Sequence, residues 1–202
     1  LVRDPFSRAV SSYLHAIKTG YDNPDISKFL GRKISRKNSF CFDEFVQYLK
    51  SLDIRNCNIH HKLQAHPLIE MDIIKPHLLK VENLFNDFAD IEKTLGLSPA
   101  PLEQISKSLD FHKRPRNHGF QQQCHKTKFR WTKQQLFPHY KYFYSEELVR
   151  DIANIYRADF EIFGYKPELD LELTSQAPSQ PSLTQIEKDM LKWRDDLNKI
   201  RG

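Results

Sequence analysis

The sequence predicts an α/β fold: a parallel sheet with flanking helices, in which helices dominate. Two strand-turn-helix units in series, over residues 1–17 and 79–95, predict the sheet. The chain starts inside the first of these units, so part of the sheet is expected upstream and helices are expected to dominate what remains.

The first unit opens on Leu1 and Val2, which read as the end of a buried strand. Asp4 suits a helix N-cap and Pro5 the first helical position, where a missing N–H costs nothing. Phe6, Ala9, Val10, Tyr13, Leu14 and Ile17 then fall on one helical face. Residues 19–38 carry Gly20, Asn23-Pro24 and Gly31 and read as a surface loop. Its basic run, Arg32, Lys33, Arg36 and Lys37, is either a solvated loop or a rim that attracts anions. A helix follows over 42–52, with Phe42, Phe45, Val46, Leu49 and Leu52 inward and Asp43 and Glu44 in its first turn.

The second unit places Leu79 and Val81 in a strand, Asn83 at a cap, and a helix over 85–95 that ends at Gly96. Glu82, at the strand end, is expected to be structural and to pair with a basic neighbour. Pro99 and Pro101 break the pattern. Between Lys107 and Lys133, basic residues interleave with Phe111, Phe120, Phe129 and Trp131 around a single acid, Asp110. Cations alternating with stacking rings can bind single-stranded nucleic acid. The last helix of the domain runs from a Ser145 cap, with Leu148, Ile152, Ile155, Tyr156 and Phe160 inward, to Gly164. Residues 1–166 form the domain, 167–181 a linker rich in Pro, Ser and Gln, and 182–202 an amphipathic helix. Leu183, Ile186, Met190, Trp193, Leu197 and Ile200 give that helix a heptad seam suited to self-association.

Composition narrows the chemistry. The net charge of +5 suits an anionic partner without distinguishing a nucleotide from a nucleic acid or a sulfated sugar. The three cysteines, Cys41, Cys57 and Cys124, are too widely spaced to be a disulfide framework, though one bridge is open to them. Cys57, His60, His61 and His66 are the right types for zinc, but no second pair lies at a typical distance, so no metal is expected. No apolar run reaches the length of a membrane span.

A strand, a tight turn and a helix start make an anion site. The helix end offers unpaired N–H groups and a positive dipole, Arg3 can grip a phosphate through two parallel bonds, and Ser11 adds a hydroxyl off the apolar stripe. The plainer alternative is an ordinary cap beside a surface arginine.

The run Arg3-Asp4-Pro5-Phe6-x-Arg8-x-x-Ser11-x-Tyr13 resembles the 3′-phosphate-binding motif of sulfotransferases that use 3′-phosphoadenosine 5′-phosphosulfate (PAPS). It is closest to the carbohydrate, Golgi-type branch and its bacterial relatives. Lys80-Val81-Glu82-Asn83-Leu84 and the C-terminal run Tyr156-x-x-Asp159-Phe160-x-x-Phe163-Gly164-Tyr165 resemble two further stretches of that family. So does His60-x-x-x-Gln64, although His61 and Leu63 stand where the family commonly has Trp and Pro.

The resemblance implies a P-loop-like sheet and transfer of a sulfuryl group from PAPS to a hydroxyl or amine, with a carbohydrate as the expected acceptor. It assigns the cofactor's 3′-phosphate to Arg3 and Ser11, with Arg8 in support. It places the loop 112–117, with Arg114 and Arg116, over the cofactor, and it requires no metal. Because the chain starts inside a strand-turn-helix unit, the family's Lys-containing 5′-phosphosulfate loop, its general base and any membrane anchor are expected upstream. His60 is the fallback catalytic residue. The expected compartment is the Golgi lumen or a bacterial cytoplasm. A nucleic-acid partner is not expected. The rival readings are a non-enzymatic module that binds nucleic acid or sulfated glycan through 107–133, or a scaffold that associates through 182–202.

Overall fold

The organising helix, α1 (Pro5–Thr19), begins where the sequence predicts. In this computed structural model, which describes residues 1–35, 37–101, 123–132 and 137–171, the Asp4 carboxylate accepts the Ser7 N–H at 2.8 Å and Gly20 closes the helix at φ +71°. Phe6, Ala9, Val10 and Tyr13 are buried, as their spacing requires.

The expected loop at 19–38 instead contains α2 (Asn23–Leu30). Pro24 fits a first helical turn, and Gly31 takes the left-handed conformation that ends the helix. The glycines and the Asn-Pro pair therefore mark helix ends, and fully buried Ile26 holds α2 to the core. The basic run is not wholly solvated either. Arg32 makes two bonds to Glu44, at 2.7 and 2.8 Å, and a third to the Ser39 carbonyl.

Helix α3 (Phe42–Lys50) buries Phe42, Phe45, Val46 and Leu49 as predicted. A short helix, α4 (Pro67–Glu70), precedes α5 (Leu84–Leu95), which ends at Gly96 as expected. The C-terminal signature forms two helices rather than one: α6 (Glu146–Ile155) and α7 (Arg157–Phe163). The break falls at Tyr156, whose ring is fully committed to the interior. Its hydroxyl donates to the His61 carbonyl at 2.9 Å, and the Arg8 guanidinium lies 5.4 Å above its ring.

No strand forms among the described residues. The two stretches expected to lie side by side in a sheet meet in a single parallel bridge between Val2 and Lys80. Val2 N–H donates to the Leu79 carbonyl and Val81 N–H to the Val2 carbonyl, both at 2.8 Å. After the bridge the chain turns at once into a 3₁₀ helix, Val81–Asn83. Glu82 is structural, but its partners are neutral rather than basic: the Asp4 N–H and the Tyr165 hydroxyl.

Helix α1 packs against α3, α6 and the 3₁₀ turn Tyr140–Phe143. Its contacts are mostly aromatic. Tyr13 meets Phe40, Phe42, Phe45 and Phe143, and Phe6 meets Tyr144 and Phe160, at centroid distances of 5.0–5.9 Å. Buried tyrosines also place their hydroxyls on backbone carbonyls: Tyr13 on Phe40 and Tyr144 on Phe6. The aromatics of the C-terminal signature thus lock onto α1, where packing on a sheet was expected. Phe129 turns inward against Phe137 and Phe143, and Trp131 stacks on Phe137, so these two rings of the basic strip serve the fold. All three cysteines are unpaired.

Candidate anion-binding recess

The polar side of α1 borders an open recess of about 250 Å³, lined by Arg3, Arg8, Ser11, Ser12, His15, Ile59 and His60. Ser11 and His15, four residues apart, share a face of α1, and Arg3 joins them from the turn before the N-cap. The recess runs along the flank of α1 rather than across its N-terminal mouth. The mouth is already taken: Asp4 caps the Ser7 N–H, and burial holds the Asp4 carboxyl above its ordinary value despite the N–H bonds it receives. The sequence-based expectation puts an anion at the helix end; the open space lies beside the helix.

Several contacts hold Arg3 in place. Its backbone N–H donates to Gln64 Oε1 and its carbonyl accepts from Gln64 Nε2, both at 2.9 Å, while its Nε donates to Ser7 Oγ at 3.0 Å. Gln64 is held in turn from the far end of the chain. Fully buried Asp159 accepts the N–H groups of Gln64 and Ala65, at 3.1 and 2.7 Å, and pairs with Arg8 at 3.3 Å. Arg8 also donates to the Lys62 carbonyl. Burial raises the Asp159 carboxyl above its ordinary value, and the two N–H bonds and Arg8 work against that rise. Arg8 is thus a brace between α1 and α7 that adds positive potential to the recess wall.

His60 packs on His15, with centroids 4.3 Å apart, and on Tyr21 at 5.0 Å. Partial burial first, then the charges of His60, Lys18 and His61, lower the His15 imidazole below its ordinary value. Behind this pair lies a buried hydrogen-bonded chain. Ser12 Oγ is 2.9 Å from the His60 carbonyl and 2.7 Å from His61 Nδ1, and His61 Nε2 contacts Asp22.

Arg3, Arg8, Ser11 and His60, named from sequence, come together in one recess. Arg114 and Arg116 lie outside the described residues, as do most of the 107–133 strip and the whole of 182–202. Among the described residues no three His, Cys, Asp or Glu side chains gather closely enough to hold a metal, and no helix is long and apolar enough to cross a membrane. Sequence reasoning missed Ser12, Asp22 and the hydrogen-bonding roles of His61 and Asp159. Local spacing carries no sign that Asp159 meets a segment 95 residues away.

Comparison with known proteins decides the family. The Sulfotransferase family model matches residues 1–166. The chain belongs to the sulfotransferase family. No curated protein and no solved structure matches it. Sulfotransferases are transferases, and the matched span includes every residue of the recess. Two guanidinium groups and two hydroxyls on one wall suit a phosphate or sulfate oxyanion, because arginine donates two parallel bonds and a hydroxyl adds a third.

Proposed function

We propose that this sulfotransferase uses PAPS as its donor and that the recess beside α1 holds the donor's 3′-phosphate. The supporting observation is the convergence of Arg3 and Ser11, eight residues apart, on one cationic recess. Arg3 grips the phosphate with its planar fork, Ser11 donates its hydroxyl, and Arg8 contributes field while remaining tied to Asp159. The Gln64 clamp fixes the backbone of Arg3, so the guanidinium is positioned before the nucleotide arrives.

In the reaction, an acceptor oxygen forms a bond to the sulfuryl sulfur as the bond from sulfur to the bridging phosphate oxygen breaks. The acceptor's proton passes to a base, and adenosine 3′,5′-bisphosphate leaves with the bridging electron pair. The work of these residues is orientation and charge stabilisation. A carbohydrate hydroxyl is the proposed acceptor.

Titration of adenosine 3′,5′-bisphosphate into the protein tests the reading. Arg3→Ala is expected to weaken binding about 100-fold and Ser11→Ala about tenfold, in line with the loss of charged and hydroxyl bonds to an anion. Unchanged affinity in Arg3→Ala would overturn it.

A further inference from the structure

His15 borders the recess, and the family motif gives it no role. Ser7, Ser11 and His15 follow one another at four-residue spacing, in one row along α1. Helical side chains lean toward the N-terminus, which carries the His15 ring back toward Ser11. From the other end, the bond from Arg3 Nε to Ser7 Oγ brings the Arg3 guanidinium up the same row. An oxyanion held by Arg3 and Ser11 thus has the imidazole at its far end. That imidazole is not engaged elsewhere. Among the described residues neither ring nitrogen of His15 makes a hydrogen bond; its backbone carbonyl accepts from Thr19, and its ring packs on His60 and Tyr21. His61, by contrast, has Ser12 on Nδ1 and Asp22 against Nε2 and has no nitrogen left for a ligand.

We propose that His15 is a further anion ligand of the recess and that it binds as the imidazolium, the added proton coming from solvent. This role rests on the phosphate reading of the recess given above and deepens it. The recess selects a doubly charged oxyanion by taking up a proton with it, beyond the bonds that Arg3 and Ser11 donate.

The groups around His15 set the direction of the effect. From α1 come Arg8, tied to Asp159, and Lys18, whose ammonium lies 5.2 Å over the Trp131 ring. From the turn before α1 comes Arg3, and from the loop facing α1 come His60 and His61. From the turn before α2 come Tyr21 and Asp22, whose carboxylate is committed to His61 and Asn58. Among the described residues no carboxylate lines the recess. Without an anion, therefore, nothing there favours a charged His15. Burial first, then His60, Lys18 and His61 hold it below its ordinary value. A bound dianion supplies the missing opposite charge, so His15 is neutral outside the complex near pH 7 and charged within it. His60, its ring 4.3 Å away, resists a second charge, so one proton enters with each anion.

The affinity for inorganic sulfate at pH 6 and pH 8 tests the proposal. Sulfate is a dianion at both values, so any pH dependence belongs to the protein. Wild-type affinity is expected to rise about tenfold from pH 8 to pH 6, the change that a shift of one pH unit in a single group produces. His15→Gln is expected to abolish that rise, with its loss of affinity concentrated at pH 6. His15→Lys, charged at both values, is a second variant should the first fold poorly, and is expected to bind sulfate equally at the two. Wild-type affinity independent of pH would overturn the proposal, as would a rise that survives in either variant. Arg3→Ala, titrated with adenosine 3′,5′-bisphosphate, keeps the two readings apart. If it weakens binding while His15→Gln leaves the sulfate profile unchanged, the phosphate reading stands and this inference fails. If Arg3→Ala changes nothing, both fail.

Discussion

The body around α1 and the segment 66–101 have similar apolar patterns in sequence and opposite fates in the structure. Around α1, Phe6, Tyr13, Phe42, Phe45, Phe143, Tyr144, Tyr156 and Phe160 are all 2% exposed or less. In 66–101, Ile73 is 63% exposed, Phe85 39% and Leu97 56%, and the buried residue of α5 is Glu92. Helical periodicity predicted both α3 and α5. It states which face is apolar, but not whether anything covers that face. Every residue bordering the recess belongs to the body or to the loop tied to it through His61 and Gln64, so the proposed binding wall is held by the packed part of the molecule.

The difference can be broken at its strongest point first. Phe45→Ala removes a fully buried ring and is expected to destabilise the protein by about 4 kcal/mol. Chemical denaturation checks this, and a loss below 1 kcal/mol would mean that the body is not one packed unit. Asp159→Asn comes next. It removes a buried charge that holds Arg8, Gln64 and Ala65, with an expected loss of about 3 kcal/mol. Nucleotide affinity should fall with it, because Gln64 then loses its hold on the turn that carries Arg3.

A smaller effect appears in acid. Burial pushes the Glu44 carboxyl up, but the Arg32 bonds, the Cys41 N–H and Lys128 outweigh it, and the net shift is downward. A lowered carboxyl stabilises the fold above the unfolded-state value near 4.5, and that stability is lost as pH falls through the folded value. Arg32→Ala should therefore reduce stability at pH 7 and leave it nearly unchanged near pH 2, as thermal melts at the two pH values would record. The smallest effect belongs to the other region. Phe85→Ala should cost about 1 kcal/mol, well below the loss at Phe45, since the residue is already 39% exposed.

These expectations rest on features that differ in how far the sequence reveals them. Helix starts and stops were legible where the signal is local: Asp4 before Pro5, Ser145 before two acids, glycines at 96 and 164. The same punctuation was misread at 19–38, because Gly20, Asn23-Pro24 and Gly31 mark the ends of a helix as well as they mark a loop. Arg3 and Ser11 were legible because one short motif carries both. The network behind them was not. Gln64 reaches Arg3 across 61 residues, Asp159 reaches Gln64 across 95, and His61 reaches Asp22 across 39. No periodicity encodes such meetings; only the packing of α1 against α6 and α7 creates them.

The most direct test of the central claim is a map of backbone amide shifts on titrating adenosine 3′,5′-bisphosphate into the labelled protein. The account predicts that the large changes cluster at Arg3, Ser11, Ser12 and His60. Changes centred instead on a smaller recess lined by Ile17, Ser35, Arg130 and Trp131 would contradict it.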